Sequence, residues 1–192
     1  MLAQIFVDYD NTALYRPERT DDECYASLGS AIEKVETFAK DRLKGAGVTE
    51  LGLRLYGGWV DVVGHPTERH LRLARCIRKI PTRICGLRLT AEIITCPINV
   101  NQALVGSYKD GGQKMVDTMI VADILWCAYN WQSPMLVLSD DDDIIPGVLG
   151  AAIHASVRGG TIANQIVALG RSRANGEGLN DKLLTTSGVY WA

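Results

Sequence analysis

Metal-binding cysteine pairs, spaced histidines and long apolar runs are all missing from this 192-residue chain. The five cysteines, at 24, 76, 85, 96 and 127, form no CxxC pair and lie mostly among apolar neighbours, which argues against a disulfide framework and a zinc ribbon. His65, His70 and His154 make no HxxxH or His-Cys pattern, so they are not read as ligands. The apolar start Met1–Val7 meets Asp8 and Asp10 too early for a signal peptide or a membrane span. The expectation is a soluble, cytoplasmic chain with no membrane partner. Neither Gly57-Gly58 nor Gly111-Gly112 leads into Lys-Ser/Thr, and Ser139 lacks the glycine flanks of a nucleophile elbow. These absences remove P-loop and serine-hydrolase chemistry. A net charge of −2 gives no global attraction to nucleic acid.

What is present is an ordinary globular composition, 47% hydrophobic and 22% charged, at a length that suits one domain over 1–192. Ile5-Phe6-Val7 reads as a buried strand ending in acidic residues. Apolar residues at three- and four-residue spacing predict a helix over 26–43, stopped by Gly45-Ala46-Gly47. Leu51–Tyr56 alternates as a strand, 67–79 reads as a helix, and Ile84–Leu89 and Ala91–Cys96 as two further strands. Residues 106–113 read as an exposed loop and 170–178 as a Gly-rich surface loop. Val116–Tyr129 is apolar on most faces apart from Asp117 and Asp123, the pattern of a buried helix. Met135–Ser139 reads as a buried strand, Ile144–Ser156 as a helix with Pro146 in its first turn, Thr161–Leu169 as a strand and Gly188–Trp191 as a last strand. Alternating strands and helices predict an α/β fold with a mainly parallel sheet between two helical layers.

Ligands of parallel α/β sheets sit at the carboxyl ends of the strands, where Asp8, Asp10 and the run Asp140–Asp143 fall. Gathering carboxylates costs repulsion, and a hard cation such as Mg2+ or Mn2+ is the usual way to offset it. The bland reading is a turn at Asp10-Asn11 and a capped helix start at 140–143. Four consecutive aspartates after a buried strand, with a second acidic strand end, favour the cation. Asp123 would pair with a buried polar group or support the site from behind.

Ile-Phe-Val-Asp8-Tyr-Asp10-Asn11, Lys114-Met-Val-Asp117 and Leu-Ser139-Asp-Asp141-Asp-Asp143-Ile-Ile-Pro146 together resemble the three signature blocks of NYN domains, which belong to the PIN-like nucleases. Tyr56-Gly57-Gly58-Trp59 resembles the segment that follows their second strand, and the likeness runs along essentially the whole chain. The resemblance implies a three-layer PIN-like sandwich. Asp8, Asp117, Asp141 and Asp143 would be the metal-binding and catalytic carboxylates, Asp10 an outer ligand, and Asn11 and Ser139 residues that shape the site. It implies metal-dependent endonucleolytic cleavage of RNA, with a homodimer or a regulatory protein partner as family analogies. Two positions depart from the pattern, because Asp140 and Met115 stand where glycine is common.

Residues 67–90 carry seven basic side chains against Glu68 alone. Arg69, Arg72 and Arg75 recur every third residue, lie near one another on a helix and are candidate contacts to an RNA backbone, as is Lys114 at the site. Trp59, Tyr108 and Trp131 are candidate base-stacking residues. Asp8-Tyr-Asp10-Asn-Thr12 also matches the opening block of haloacid-dehalogenase-like phosphatases, with Asp8 as nucleophile and Asp10 as acid/base. That reading leaves Asp117 without a role and finds no central strand ending in the required Ser or Thr. A PIN-like module that binds RNA or protein without cutting is the non-enzymatic alternative.

Overall fold

The computed structural model describes residues 1–11, 20–61, 63–95, 108–109, 112–113, 115–131, 133–157, 166–171 and 181–192. β1 (Leu2–Asp8) is buried along nearly its whole length, and its side chains alternate between two helical layers. Thr20 then opens α1 (Asp21–Arg42), five residues before the apolar periodicity begins. The Thr20 hydroxyl accepts from the Glu23 N–H at 3.2 Å and the Glu23 carboxylate accepts from the Thr20 N–H at 3.1 Å, a reciprocal cap of about 1 kcal/mol. After β2 (Glu50–Tyr56) comes α2 (Glu68–Ile77), capped by Thr67.

β3 (Arg83–Ile84) and β4 (Leu87–Ile94) form a hairpin whose turn, Cys85-Gly86, has both φ angles positive. The two strands expected at Ile84–Leu89 and Ala91–Cys96 are thus one tight hairpin and one continuous strand. Arg88, Thr90 and Glu92 occupy the exposed face of β4, and this polar alternation hid the continuity. Only β5 (Tyr108–Lys109) and β6 (Gly112–Gln113), an antiparallel pair, are described before α3 (Val116–Asn130). β7 (Met135–Leu138), a 3-10 turn (Asp142–Ile144) and α4 (Ile145–Val157) follow as expected. β8 (Val167–Gly170), a six-residue α5 (Asp181–Thr186) too short to leave a helical period, and β9 (Val189–Trp191) follow in turn. Of the anticipated strand 161–169, residues 161–165 lie outside the described residues and the strand itself begins at Val167; residues 172–178 of the Gly-rich loop and Cys96 also lie outside them.

The main sheet has the order β3-β4-β2-β1-β7-β8-β9, and every pairing except β3 with β4 is parallel. Ala3, Ile5 and Val7 of β1, with Leu51, Leu53, Leu55, Leu136 and Leu138, pack on Leu28, Val35 and Phe38 of α1 and Leu73 of α2. The opposite face, Phe6, Tyr56, Met135 and Val137, packs on Met119, Ile120 and Ile124 of α3 and Val148 of α4. Each fully buried Leu or Ile contributes about 1.5–3 kcal/mol relative to an exposed one. Helices on both faces give the α/β/α layering. The chain winds away from β1 in both directions, so β1 and β7 flank the point where the strand order reverses. Among the described residues no helix is long and apolar enough to cross a membrane.

One polar cluster is embedded between the sheet and α3. The Tyr56 hydroxyl donates to Asp123 Oδ2 at 2.6 Å and accepts from Arg54 Nε at 3.0 Å, while Arg54 Nη1 donates to Glu92 Oε1 at 2.6 Å. Asp123 has no exposed surface and Arg54 Nη2 lies 3.6 Å from it, so the expected buried polar partners are Tyr56 and Arg54. Burial pushes the Tyr56 hydroxyl well above the usual tyrosine range, which keeps it a donor. Tyr56→Phe therefore takes the shortest bond from a buried carboxylate and is expected to lower urea stability by about 2 kcal/mol without altering the m-value.

Candidate metal centre

Asp8 closes β1 on the α3 side of the sheet, directly beside Tyr56 of β2, and has no exposed surface. Its carboxylate is held by two neighbours. Ser139, the residue after β7, donates its hydroxyl to Asp8 Oδ2 at 2.7 Å, and the Asn11 backbone N–H donates to Oδ1 at 3.2 Å. Desolvation is nonetheless the largest influence and, with the nearby Asp117 and Asp10, pushes the Asp8 carboxyl up to about 6.

The same two residues also fix Asp141. Ser139 Oγ accepts the Asp141 N–H at 3.0 Å, and Asn11 Nδ2 donates to Asp141 Oδ2 at 3.2 Å. The other oxygen, Oδ1, accepts the Asp143 N–H at 2.9 Å, so Asp141 caps the 3-10 turn while facing Asp8. A further tie, from the Asp140 N–H to Asn11 O at 2.6 Å, joins the two strand-end segments. Asp117 enters from the first turn of α3, where the helix N-terminus favours a negative charge. That helix begins at Met115 with φ 68°, a left-handed conformation that accounts for glycine being the easier residue there.

Asp8, Asp117 and Asp141 each place a carboxylate oxygen within 4.8 Å of the others. Oxygens around a Mg2+ ion at about 2.1 Å stand roughly 3.0 to 4.2 Å apart, a span just inside this bound, so the three carboxylates could share one small cation with little movement. The donor set is all oxygen, with no thiolate or imidazole, which suits Mg2+ or Mn2+.

Asp10 and Asp143 are not in this group. Asp10 bonds the Arg69 guanidinium and accepts the Gly58 N–H at 2.7 Å. Asp143 is exposed, and its described role is the backbone donation to Asp141. Asn11 and Ser139 each hydrogen-bond both Asp8 and Asp141. Lys114 and Thr12 lie outside the described residues, as does the side chain of Tyr108.

The arginine stripe on α2 is occupied. Arg69 lies over the rings of Tyr9 and Trp59 at 5.1 and 5.0 Å and pairs with Asp10. Arg75 grips Asp21 of α1 through two bonds of 3.1 and 2.9 Å and holds that carboxyl below its ordinary value, and Arg72 approaches Asp21 and Glu68. These charges tie α2 to α1 and to the end of β1, so a phosphate would compete with internal carboxylates. Trp59 is fully buried beneath Gly57, where an added Cβ would meet its ring at 2.8 Å, and offers no face to a base. Trp131 is partly exposed and meets Trp126 edge-on at 4.6 Å.

A residue with no sequence signal completes the acidic segment. Arg171 follows β8, its side chain is 2% exposed, and Nη2 donates to Asp140 O at 3.3 Å and to Asp142 Oδ1 at 2.5 Å. No family model, curated protein or solved structure matches the chain.

The raised Asp8 value has a stability consequence. The folded state holds this proton more tightly than the unfolded chain, so the contribution is fully present below pH 3.8 and is lost as pH rises through about 6. The cost of the buried charge at neutral pH is on the order of 3 kcal/mol. Asp8→Asn in EDTA is therefore expected to melt several degrees above the parent protein at pH 7.5 and close to it at pH 4 in calorimetry. Added Mn2+ should raise the parent's melting temperature and leave that of Asp8→Asn unchanged.

Proposed function

We propose that the chain is a metal-dependent ribonuclease of the NYN/PIN-like type that hydrolyses internal phosphodiester bonds of RNA. The convergence of Asp8, Asp117 and Asp141 from three distant segments onto the switch point of a parallel sheet is the observation that carries this reading. The three signature blocks of the sequence are the segments that converge. Asp8, Asp117 and Asp141 would hold the cation. A Mg2+ or Mn2+ ion bound there supplies charge stabilisation at a phosphate and activation of water for in-line attack.

The chain's own residues orient that chemistry. Ser139 spends its hydroxyl proton on Asp8 and its lone pair on the Asp141 backbone, which fixes two carboxylates with one side chain. Asn11 holds the same two residues from the other side, its backbone N–H donating to Asp8 and its side-chain amide to the Asp141 carboxylate. Both are positioning groups. Asp8 has no exposed surface and Asp10 is ion-paired with Arg69, which fits poorly with a phosphatase that needs Asp8 as an open nucleophile and Asp10 as a mobile acid/base.

The test is labelled single-stranded RNA incubated with the protein in Mg2+, in Mn2+ and in EDTA, with a generic phosphomonoester alongside. Internal cleavage that requires the metal is expected, and Asp141→Asn should lose at least the roughly 10- to 100-fold that disturbing a metal's outer ligands costs. Phosphomonoester hydrolysis lost in Asp8→Asn, without RNA cleavage, would replace this reading with the phosphatase. Metal binding and RNA binding without turnover would make the chain a binding module.

A further inference from the structure

We infer that Arg171 is the positioning residue that selects Asp141, out of four consecutive aspartates, to face the acidic site. This role rests on reading Asp8, Asp117 and Asp141 as a cation site. Gly170 pairs with Leu138, so the residue after β8 lies alongside the segment leaving β7, and the Ser139 N–H donates to Gly170 O at 3.2 Å. From there the Arg171 guanidinium reaches the carbonyl of Asp140 and the carboxylate of Asp142, the two neighbours of Asp141. With both flanks held toward Arg171, the Asp141 carboxylate is left on the side of Asn11, Asp8 and Asp117. Lys34 of α1 donates to Arg171 O at 3.2 Å and anchors the backbone that carries the guanidinium.

A guanidinium this deeply buried is costly unless it is paired and hydrogen-bonded, and its partners here are atoms of the acidic segment. Charge alone would make Arg171 an antagonist of the site, since a fixed positive group beside a cation weakens its binding. Positioning acts in the opposite direction. The two effects can therefore be told apart by sign: removing Arg171 tightens the cation if its charge matters most and loosens it if its grip does.

Two measurements on Arg171→Met and Arg171→Lys decide the matter, with circular dichroism to confirm folding. In EDTA, amide exchange followed by NMR reports the Asp141 and Asp143 N–H groups, which bond Ser139 Oγ and Asp141 Oδ1. Both amides are expected to exchange faster in both variants. In Mn2+ titrations the Kd is expected to rise about tenfold or more in Arg171→Met, as for other outer-shell losses. It should rise less in Arg171→Lys, which keeps the charge but not the planar group whose Nη2 bonds both flanks of Asp141. If Arg171→Met does not fold, Arg171→Lys decides. Unchanged exchange, or a Mn2+ affinity equal to or tighter than that of the parent, would overturn the role. A parent protein that takes up no Mn2+ would overturn the cation reading, while the metal-free exchange would still show whether Arg171 holds Asp141.

Discussion

A carboxylate with no exposed surface, Asp8 at the end of the central strand, is the constraint around which the carboxyl edge of the sheet is organised. A charged group in that position requires donors aimed at it, and the strand register supplies them. Val7 pairs with Leu138, so Ser139 emerges beside Asp8 whenever β1 and β7 are correctly aligned. The turn after β1 returns Asn11 to the same place. Each donor has a second function in holding Asp141, which makes the second carboxylate's position a by-product of solvating the first. The arrangement depends on pairing at a topological switch point, where two neighbouring strand ends diverge and leave room between them.

The chain's positive charge is used internally. Arg54 and Arg171 are nearly buried and pair with carboxylates of α3 and of the 3-10 turn, Asp123 and Asp142. Arg69 and Arg75 join secondary structure elements by pairing with Asp10 and Asp21. In this view the arginine-rich helix is a fastening between two helices and a strand end. Attraction for a polyanion would have to come from side chains outside this set.

The α/β alternation, the parallel core and the acidic strand ends were legible because each leaves a local pattern: an apolar run, a helical period, a carboxylate just past a buried strand. Asp117 stood out as a charge in an otherwise apolar helix. Asp143 and Asp10 look the same in sequence as Asp141 and Asp8, because neighbouring aspartates differ only in which way the backbone turns them. Which arginines were internally paired was equally hidden, since Asp21 and Arg75 are 54 positions apart. The β3–β4 hairpin escaped because Cys85 adopts positive φ, an uncommon choice for a non-glycine residue, so the turn carried only half of its usual signature. Arg171 had no local pattern at all; its meaning comes from a neighbour in space across two strands.

The sheet's two borders have a consequence of another kind. The seven-stranded, mostly parallel sheet ends on one side in the three-residue β9 and on the other in the two-residue β3, which pairs only with Leu87 and Arg88 of β4. Unpaired backbone amides on a long edge are templates for further strands, and short edges give an incoming chain too few bonds to gain register. Arg83 and Arg88 add charge at the β3 border. The apolar strands β1, β2 and β7 are enclosed by neighbours on both sides. The fold therefore keeps its most aggregation-prone segments away from both borders and leaves the longer edge to β4, whose exposed face carries Arg88, Thr90 and Glu92.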